Sequence, residues 1–282
     1  MIQPNLRAVS SYTIATYNTM ETERDGVLTD DDRFWNLCHG PRNYETVRAI
    51  AEYTNQRSDI EHLTVVNISG LNEGKPDPVL FDLVCQGFDR NRLSWFVVDH
   101  PQSLTFTDPH VQRWTQERGI ICVPHDHRLE SGLPATPPAD IVLCTEIIEH
   151  LDYSDTLRLL RSCRELLKPG GVLFVTTPNA LFLGYRLMFV LGRWDFLFFN
   201  DDPAAVDHGL VGHIMYYDGQ RLSRIMRLLQ FDNVAASTFN AGHGPGEYRT
   251  IWRRIAANIL RMATNLVPAS GQVLRVVAQR PF

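Results

Sequence analysis

Two apolar runs, each ending in a knot of polar residues and joined by a helical stretch, constrain this chain more than any other feature. Ala139-Asp-Ile-Val-Leu-Cys-Thr-Glu-Ile-Ile-Glu-His-Leu151 is followed by Leu166-Leu-Lys-Pro-Gly-Gly-Val-Leu-Phe-Val-Thr-Thr-Pro-Asn179. Short apolar runs bounded by turn residues, with a helical crossover between them, predict two parallel strands. In open α/β sheets ligands sit outside the carboxyl ends of such strands. Both polar knots fall at that edge.

The same alternation extends through the chain. Leu63–Ile68, Ser94–Val98, Ile120–Val123, Ile141–Cys144 and Val172–Thr176 read as five successive strands. Between them, Asp77-Pro78 and Asp108-Pro109 look like N-caps followed by proline at the first helical position, opening helices through Val84 and Glu117. A crossover helix is expected from about Asp155 to Leu167, with Leu159, Leu160, Cys163, Leu166 and Leu167 on one face and Gly170-Gly171 ending it. Asp218 should cap a helix burying Leu222, Ile225, Met226 and Leu229. Phe231–Phe239 and Val273–Gln279 read as a closing antiparallel pair around a helix of about Ile251–Val267. Strands and helices in this order predict a doubly wound, mostly parallel seven-stranded sheet. Before about Asn43 the residues lack a period and carry the acidic Asp30-Asp-Asp32, so residues 1–43 are expected to form an N-terminal arm, helical in part, over the ligand edge. Residues 44–282 would form the domain, its helix from Tyr44 to Tyr53 carrying Tyr44, Val47, Ile50 and Ala51 on one apolar face.

At 282 residues the chain has ample length for one core. A net charge of −5 argues against a surface devoted to nucleic-acid backbone, because that affinity rests on Lys and Arg. Five cysteines without a C-x-x-C pair, several inside apolar runs, fit a reduced cytoplasmic setting, and Met1–Arg7 lacks the apolar region of a secretory signal. The stretch Ala180–Phe199 is nearly long enough to span a bilayer, but Arg186, Arg193 and Asp195 interrupt it. It reads as a buried helix and substrate cover within an insert of about 180–217, or as a segment making peripheral membrane contact.

The words "D-x-V-x-x-x-E-x-x-E-H-L" at Asp140–Leu151 and "L-x-P-G-G-x-L-x-x-x-x-P-N" at Leu167–Asn179 resemble the central motifs of the class I S-adenosylmethionine-dependent methyltransferases. The resemblance implies a Rossmann-like methyltransferase fold, S-adenosylmethionine as cofactor, and methyl transfer to a hydroxyl of a small molecule, a saccharide or a lipid-linked intermediate. The insert and the closing Val276–Pro281 also look like methyltransferases of surface-polysaccharide or natural-product pathways. On this reading Asn67, Ser69, Gly70 and Gly74 form the cofactor loop after the first strand, although Asn67 and Ser69 replace the family's usual acid and first glycine. Glycines there let the backbone approach a bound nucleoside closely. Asp99 would accept hydrogen bonds from both ribose hydroxyls, Asp126 and His127 would flank the adenine, and Thr145 and Glu146 would complete the cofactor site.

His150 is the natural general base, since imidazole titrates near neutrality, and His213 is expected to face the same cleft. E-x-x-E-H followed by a later histidine also resembles the metal site of small-RNA 3′-terminal 2′-O-methyltransferases, which here would comprise Glu146, Glu149, His150 and His213. Related motifs occur in ubiquinone-pathway O-methyltransferases without RNA chemistry, and the expectation is a metal-free site. A non-catalytic, degenerate domain is the remaining alternative, motivated by the altered loop. Arg249, Arg253, Arg254 and Arg261 among apolar residues of the late helix read as a solvated face, or as a site for anionic headgroups.

Overall fold

A computed structural model describes residues 3–28, 30–57, 60–68, 76–126, 132–192, 213–241 and 251–282. Ser69, Gly70, Gly74 and His127, together with most of the expected insert, lie outside the described residues.

Seven strands form one sheet in the order β3-β2-β1-β4-β5-β7-β6. They are β1 (Leu63–Ile68), β2 (Leu93–Asp99), β3 (Ile121–Pro124), β4 (Ala139–Thr145), β5 (Leu167–Pro178), β6 (Asp232–Phe239) and β7 (Val273–Gln279). β7 runs antiparallel to both β5 and β6, and the remaining pairings are parallel. Strand order reverses between β1 and β4, so the crevice where such folds bind ligands opens at the carboxyl ends of those two strands. Every residue of β1 is buried, as expected of a central strand covered on both faces.

Each face of the sheet has its own core. Leu63, Val65, Trp95, Val97, Ile141 and Leu143 face α1 (Leu6–Asp25), α2 (Asp30–Gln56), α3 (Pro76–Cys85) and, beyond the short α4 (Leu104–Thr107), α5 (Pro109–Arg118). Val66, Ile68, Val142, Cys144, Leu173 and Val175 face α6 (Tyr153–Leu166) and α8 (Gly219–Leu228), which follows α7 (Leu183–Val190) in the chain. The expected faces are used: α6 buries Leu159, Leu160 and Cys163, and α8 buries Leu222, Ile225 and Met226. Each aliphatic side chain so buried contributes about 1.5–3 kcal/mol. Asp108 and Asp218 cap α5 and α8 as their spacing predicts, accepting backbone N–H bonds from His110 and Val111 and from Gln220 and Arg221. α9 (Ile251–Leu266) joins β6 to β7. None of the five cysteines forms a disulfide.

Three local expectations are corrected. Gly170-Gly171 does not end α6, because that helix stops at Leu166 and Leu167 already enters β5 in extended conformation. The glycines instead form an irregularity inside the strand, where Gly170 sits at φ 74° and a Cβ on Gly171 would come within 2.9 Å of the Lys168 carbonyl oxygen. The helix expected to begin at Tyr44 begins earlier: α2 runs unbroken from Asp30 to Gln56 and packs against α1 as a helical pair. Asp77, finally, does not cap α3. It lies in the first turn, where its Oδ1 accepts from Asn67 Nδ2 and Trp95 Nε1, both at 2.8 Å. A buried carboxyl outcompetes the cap because two buried donors on β1 and β2 would otherwise lack an acceptor.

Burial raises the Asp77 carboxyl to about 6, against the lowering effect of its two hydrogen bonds. A folded-state value above the unfolded one means that the stabilisation is complete below about pH 4 and is lost as pH rises through about 6. Asp77→Ala should cost roughly 1–3 kcal/mol for each orphaned donor. Asp77→Asn keeps the Oδ1 acceptor without the charge, so its stability should gain on the wild type between pH 4 and 6, which thermal melts across that range would measure.

Candidate active site

β1, β4 and β5 deliver the residues of the crevice. β1 ends in Asn67 and Ile68, and the Asn67 side chain is held by its Nδ2 bond to Asp77. Its Oδ1 is buried without a hydrogen-bond partner among the described residues. Thr145 closes β4, in register with Thr176 of β5. Glu146 follows at φ 57°, a left-handed conformation costly for a residue with a Cβ, and its N–H donates to the Thr176 carbonyl at 2.9 Å. That turn aims the Glu146 carboxylate at α2, where Arg42 Nη2 lies 3.2 Å from Oε2.

One short helical turn later stands Glu149, 1% exposed. Thr177 of β5 donates from Oγ1 to Glu149 Oε2 at 3.0 Å, while Oε1 is buried, without a hydrogen-bond partner among the described residues, and 4.0 Å from His150 Nε2. Burial, and then the neighbouring Glu146 charge, push this carboxyl well above the usual range. The Glu149 backbone carbonyl accepts from Ile214 at 2.8 Å and Met215 at 3.1 Å, tying down the segment after the insert. Tyr217 pins the other end of that segment by a bridge to Asn179 and a hydroxyl bond to Thr156 at 3.1 Å. The result is that His213 meets His150, ring centroids 5.0 Å apart in an edge contact.

Glu149, His150 and His213 thus each offer a ligand atom, all within 4.8 Å of one another. Burial, then the adjacent His150, lower His213 to about 4, so its imidazole is neutral at physiological pH. Two tyrosines close the aromatic side: Tyr216 lies 6.2 Å from His213, and Tyr185 of α7 lies 6.4 Å from Tyr216. Burial pushes Tyr185 up to about 12.

Asp99 closes β2 and is fully buried, with Oδ1 accepting from the His100 N–H at 2.8 Å and Oδ2 from Thr105 Oγ1 at 2.9 Å. Each carboxylate oxygen can accept a second bond. Asp126, after β3, lies with Oδ2 3.3 Å from His100 Nε2, bracing the ends of β2 and β3 together. The structure therefore gathers His150, His213 and Glu149 into one cluster, with Glu146 beside it on Arg42, and puts Asn67, Asp99, Asp126 and Thr145 along the strand ends. Glu146 departs from the four-residue metal set, because its carboxylate is turned toward Arg42. Arg42 and Tyr185 had no local sequence signal, since each reaches the site from a distant element, whereas Thr177 lies in the second polar knot and Tyr216 three residues after His213.

A sequence model described as a methyltransferase domain matches residues 64–236, and the chain belongs to that family. Its family is that of the class I S-adenosylmethionine-dependent methyltransferases. Among curated relatives, the ubiquinone biosynthesis O-methyltransferase of Histophilus somni (strain 2336) is 47% identical over 53 residues, 19% of this chain and 21% of that protein. The protein of the same name from Caulobacter vibrioides is 52% identical over 67 residues, 19% of this chain and 26% of that protein. The chain thus spans about a fifth to a quarter of the length of these relatives. Among solved structures, DszA carbon methyltransferase has a TM-score of 0.54 at 14% identity, over 97% of this chain and 68% of that one. This is a likeness of fold alone.

The strained turn at Glu146 offers a direct test. Glu146→Gly should relieve about 1–2 kcal/mol of left-handed strain, so it should melt higher than Glu146→Ala while the two lose methyl transfer to the same extent. Equal melting temperatures would show that the turn carries no strain.

Proposed function

We propose that the chain transfers a methyl group to a hydroxyl oxygen of a small-molecule, saccharide or lipid-linked acceptor. The observation that carries this reading is the cluster of Glu149, His150 and His213, in which a buried carboxyl oxygen without a hydrogen-bond partner among the described residues lies 4.0 Å from the His150 Nε2 and beside a second imidazole. Orphaned buried polar atoms cost about 1–3 kcal/mol each. They are retained here at the carboxyl ends of β1 and β4, at Asn67 Oδ1, Glu146 Oε1 and Glu149 Oε1, which fits a crevice completed by a polar ligand.

When bound, S-adenosylmethionine supplies a methyl carbon on a sulfonium, open to in-line displacement by the acceptor oxygen. Asp99 would hold the ribose through its carboxylate at the carboxyl end of β2. Asn67 Oδ1 and the loop containing Ser69, Gly70 and Gly74 would approach the amino-acid end, Asp126 and His127 the adenine, and Thr145 and Glu146 the floor. His150, more open than Glu149, would take the hydroxyl proton, with neutral His213 orienting the acceptor. Residues of about 180–217 would cover the acceptor, with Tyr185 and Tyr216 excluding water from the cleft. The short relatives named for ubiquinone biosynthesis support oxygen as the methylated atom. The net charge of −5 supports a partner other than nucleic acid.

A second reading has its own observation in favour. Two imidazoles and a carboxylate within 4.8 Å are suitable ligands for a divalent cation, and a cation would satisfy Glu149 Oε1. Such an ion would supply Lewis acidity to the acceptor hydroxyl.

Titration calorimetry tests the cofactor assignment. Asp99→Ala should weaken S-adenosylmethionine binding at least tenfold, since charge-assisted hydrogen bonds contribute about 1.5–3 kcal/mol each. Unchanged affinity in a folded variant would reject the ribose role. With a chelator present, the base reading expects undiminished methyl transfer and a loss of about 10²–10⁴-fold in His150→Ala with cofactor binding retained. Inactivation by chelator, restored by a divalent ion and lost together in His150→Ala and His213→Ala, would establish the second reading instead.

A further inference from the structure

α9 turns a row of large apolar side chains to solvent. Trp252, Ile255, Ile259, Met262 and Leu266 are between 42% and 84% exposed. At 3.6 residues per turn these five positions fall within a stripe about 80° wide. Random surface hydrophobes are ordinary, but a continuous apolar stripe along a helix marks a surface that meets something. α7 lies against α9, and its end adds Leu187 and Val190, followed by Leu191, which are 50%, 82% and 77% exposed.

The opposite side of α9 has a different task. Arg261, Thr264 and Asn265 line a cavity of about 570 Å³, shared with Tyr44 and Glu45 of α2 and Asn240 after β6. Arg42, one turn before Glu45 on α2, is the residue that reaches Glu146. The cavity and the candidate active site therefore share the α2 wall, and α9 stands between the cavity and the exposed stripe.

Charge distinguishes the occupants of that stripe. Residues 248–266, on and just before α9, contain four arginines and no Asp or Glu, of which Arg261 faces the cavity, and residues 180–192 contain Arg186 and no acid, in a chain whose net charge is −5. A second copy of the chain meeting this face about a two-fold axis would bring the two basic segments together. An anionic bilayer surface complements them, and a tryptophan at the edge of an apolar stripe suits the interface between headgroups and acyl chains. No helix among the described residues is long and apolar enough to cross a membrane, so the helix would lie along the surface rather than through it.

We propose that the α9 stripe, extended by the end of α7, docks on the surface of an anionic phospholipid bilayer. Docking in this orientation sets the cavity behind α9 about one helix diameter, roughly 10 Å, from the lipid. An acceptor whose tail stays in the bilayer could then present its polar head to the site. This deepens the acceptor class proposed above and rests on that reading for its meaning, but vesicle binding is measured without cofactor and stands or falls by itself.

The experiment is flotation of the full chain with phosphatidylcholine vesicles, with and without phosphatidylglycerol. The expected result is binding to the anionic vesicles at least tenfold stronger than to the neutral ones, weakened by salt. A Trp252→Glu, Ile259→Glu double variant should lose at least tenfold in vesicle binding with its melting temperature unchanged. Asn258→Glu, also exposed on α9 but off the stripe, should stay within about twofold, because the apolar contact is untouched. No vesicle binding, or equal losses in Asn258→Glu and the double variant, would overturn the proposal. So would light scattering showing a dimer in solution that the double variant dissociates, since the stripe would then belong to self-association. Should S-adenosylmethionine fail to bind while the vesicle results hold, the methyl-transfer reading falls and the docking surface remains.

Discussion

The Glu149 carboxyl group and its own backbone carbonyl hold the crevice together. The side chain receives Thr177 from β5, while the carbonyl receives the Ile214 and Met215 amides from the far side of the insert. One residue thus joins the end of β4, the end of β5 and the returning chain. Its burial demands compensation, because a carboxylate removed from water must be neutral, paired with a cation, or fully hydrogen-bonded. Thr177 satisfies one oxygen only. The unmet demand of the other is what makes His150 and His213, drawn to the same place, chemically significant.

A similar tension recurs around the crevice. Asp77 is buried to serve two donors, Glu146 adopts a left-handed backbone to turn its carboxylate toward Arg42, and Asn67 keeps an orphaned carbonyl oxygen. Each of these features costs free energy. Strain and unsatisfied polarity at the carboxyl ends of β1 and β4 are expected where a ligand completes the structure.

α9 connects this edge to the outer surface. It is an amphipathic helix used on both sides, polar toward the cavity and apolar toward solvent. A helix packed only for stability would bury its large side chains, yet Trp252 and Leu266 remain exposed. The absence of acidic residues from residue 248 onward gives that surface a sign as well as a shape.

Much of the fold was legible in the order of residues. Central parallel strands must be apolar on both faces, so Leu63–Ile68 and Ile141–Cys144 stand out as continuous runs, and the period of Leu159, Leu160 and Cys163 marks the face of α6. The strand ends then locate Asp99, Thr145, Glu146 and His150, because polar residues following apolar runs lie at the carboxyl edge. What the order of residues could not decide is which distant groups meet there. Asp77 read as a cap because its sequence neighbours suit one, but the donors of Asn67 and Trp95 come from two adjacent strands. Gly170-Gly171 read as a helix end because that dipeptide commonly is one, whereas pairing with β4 continues the strand through it. His213 meets His150 only because two amides bond the Glu149 carbonyl, and Arg42 reaches Glu146 only because α2 packs across the sheet. Local periodicity reports what a residue's immediate neighbours require. Hydrogen bonds and ion pairs between remote elements depend on three-dimensional placement, and that is decided by packing.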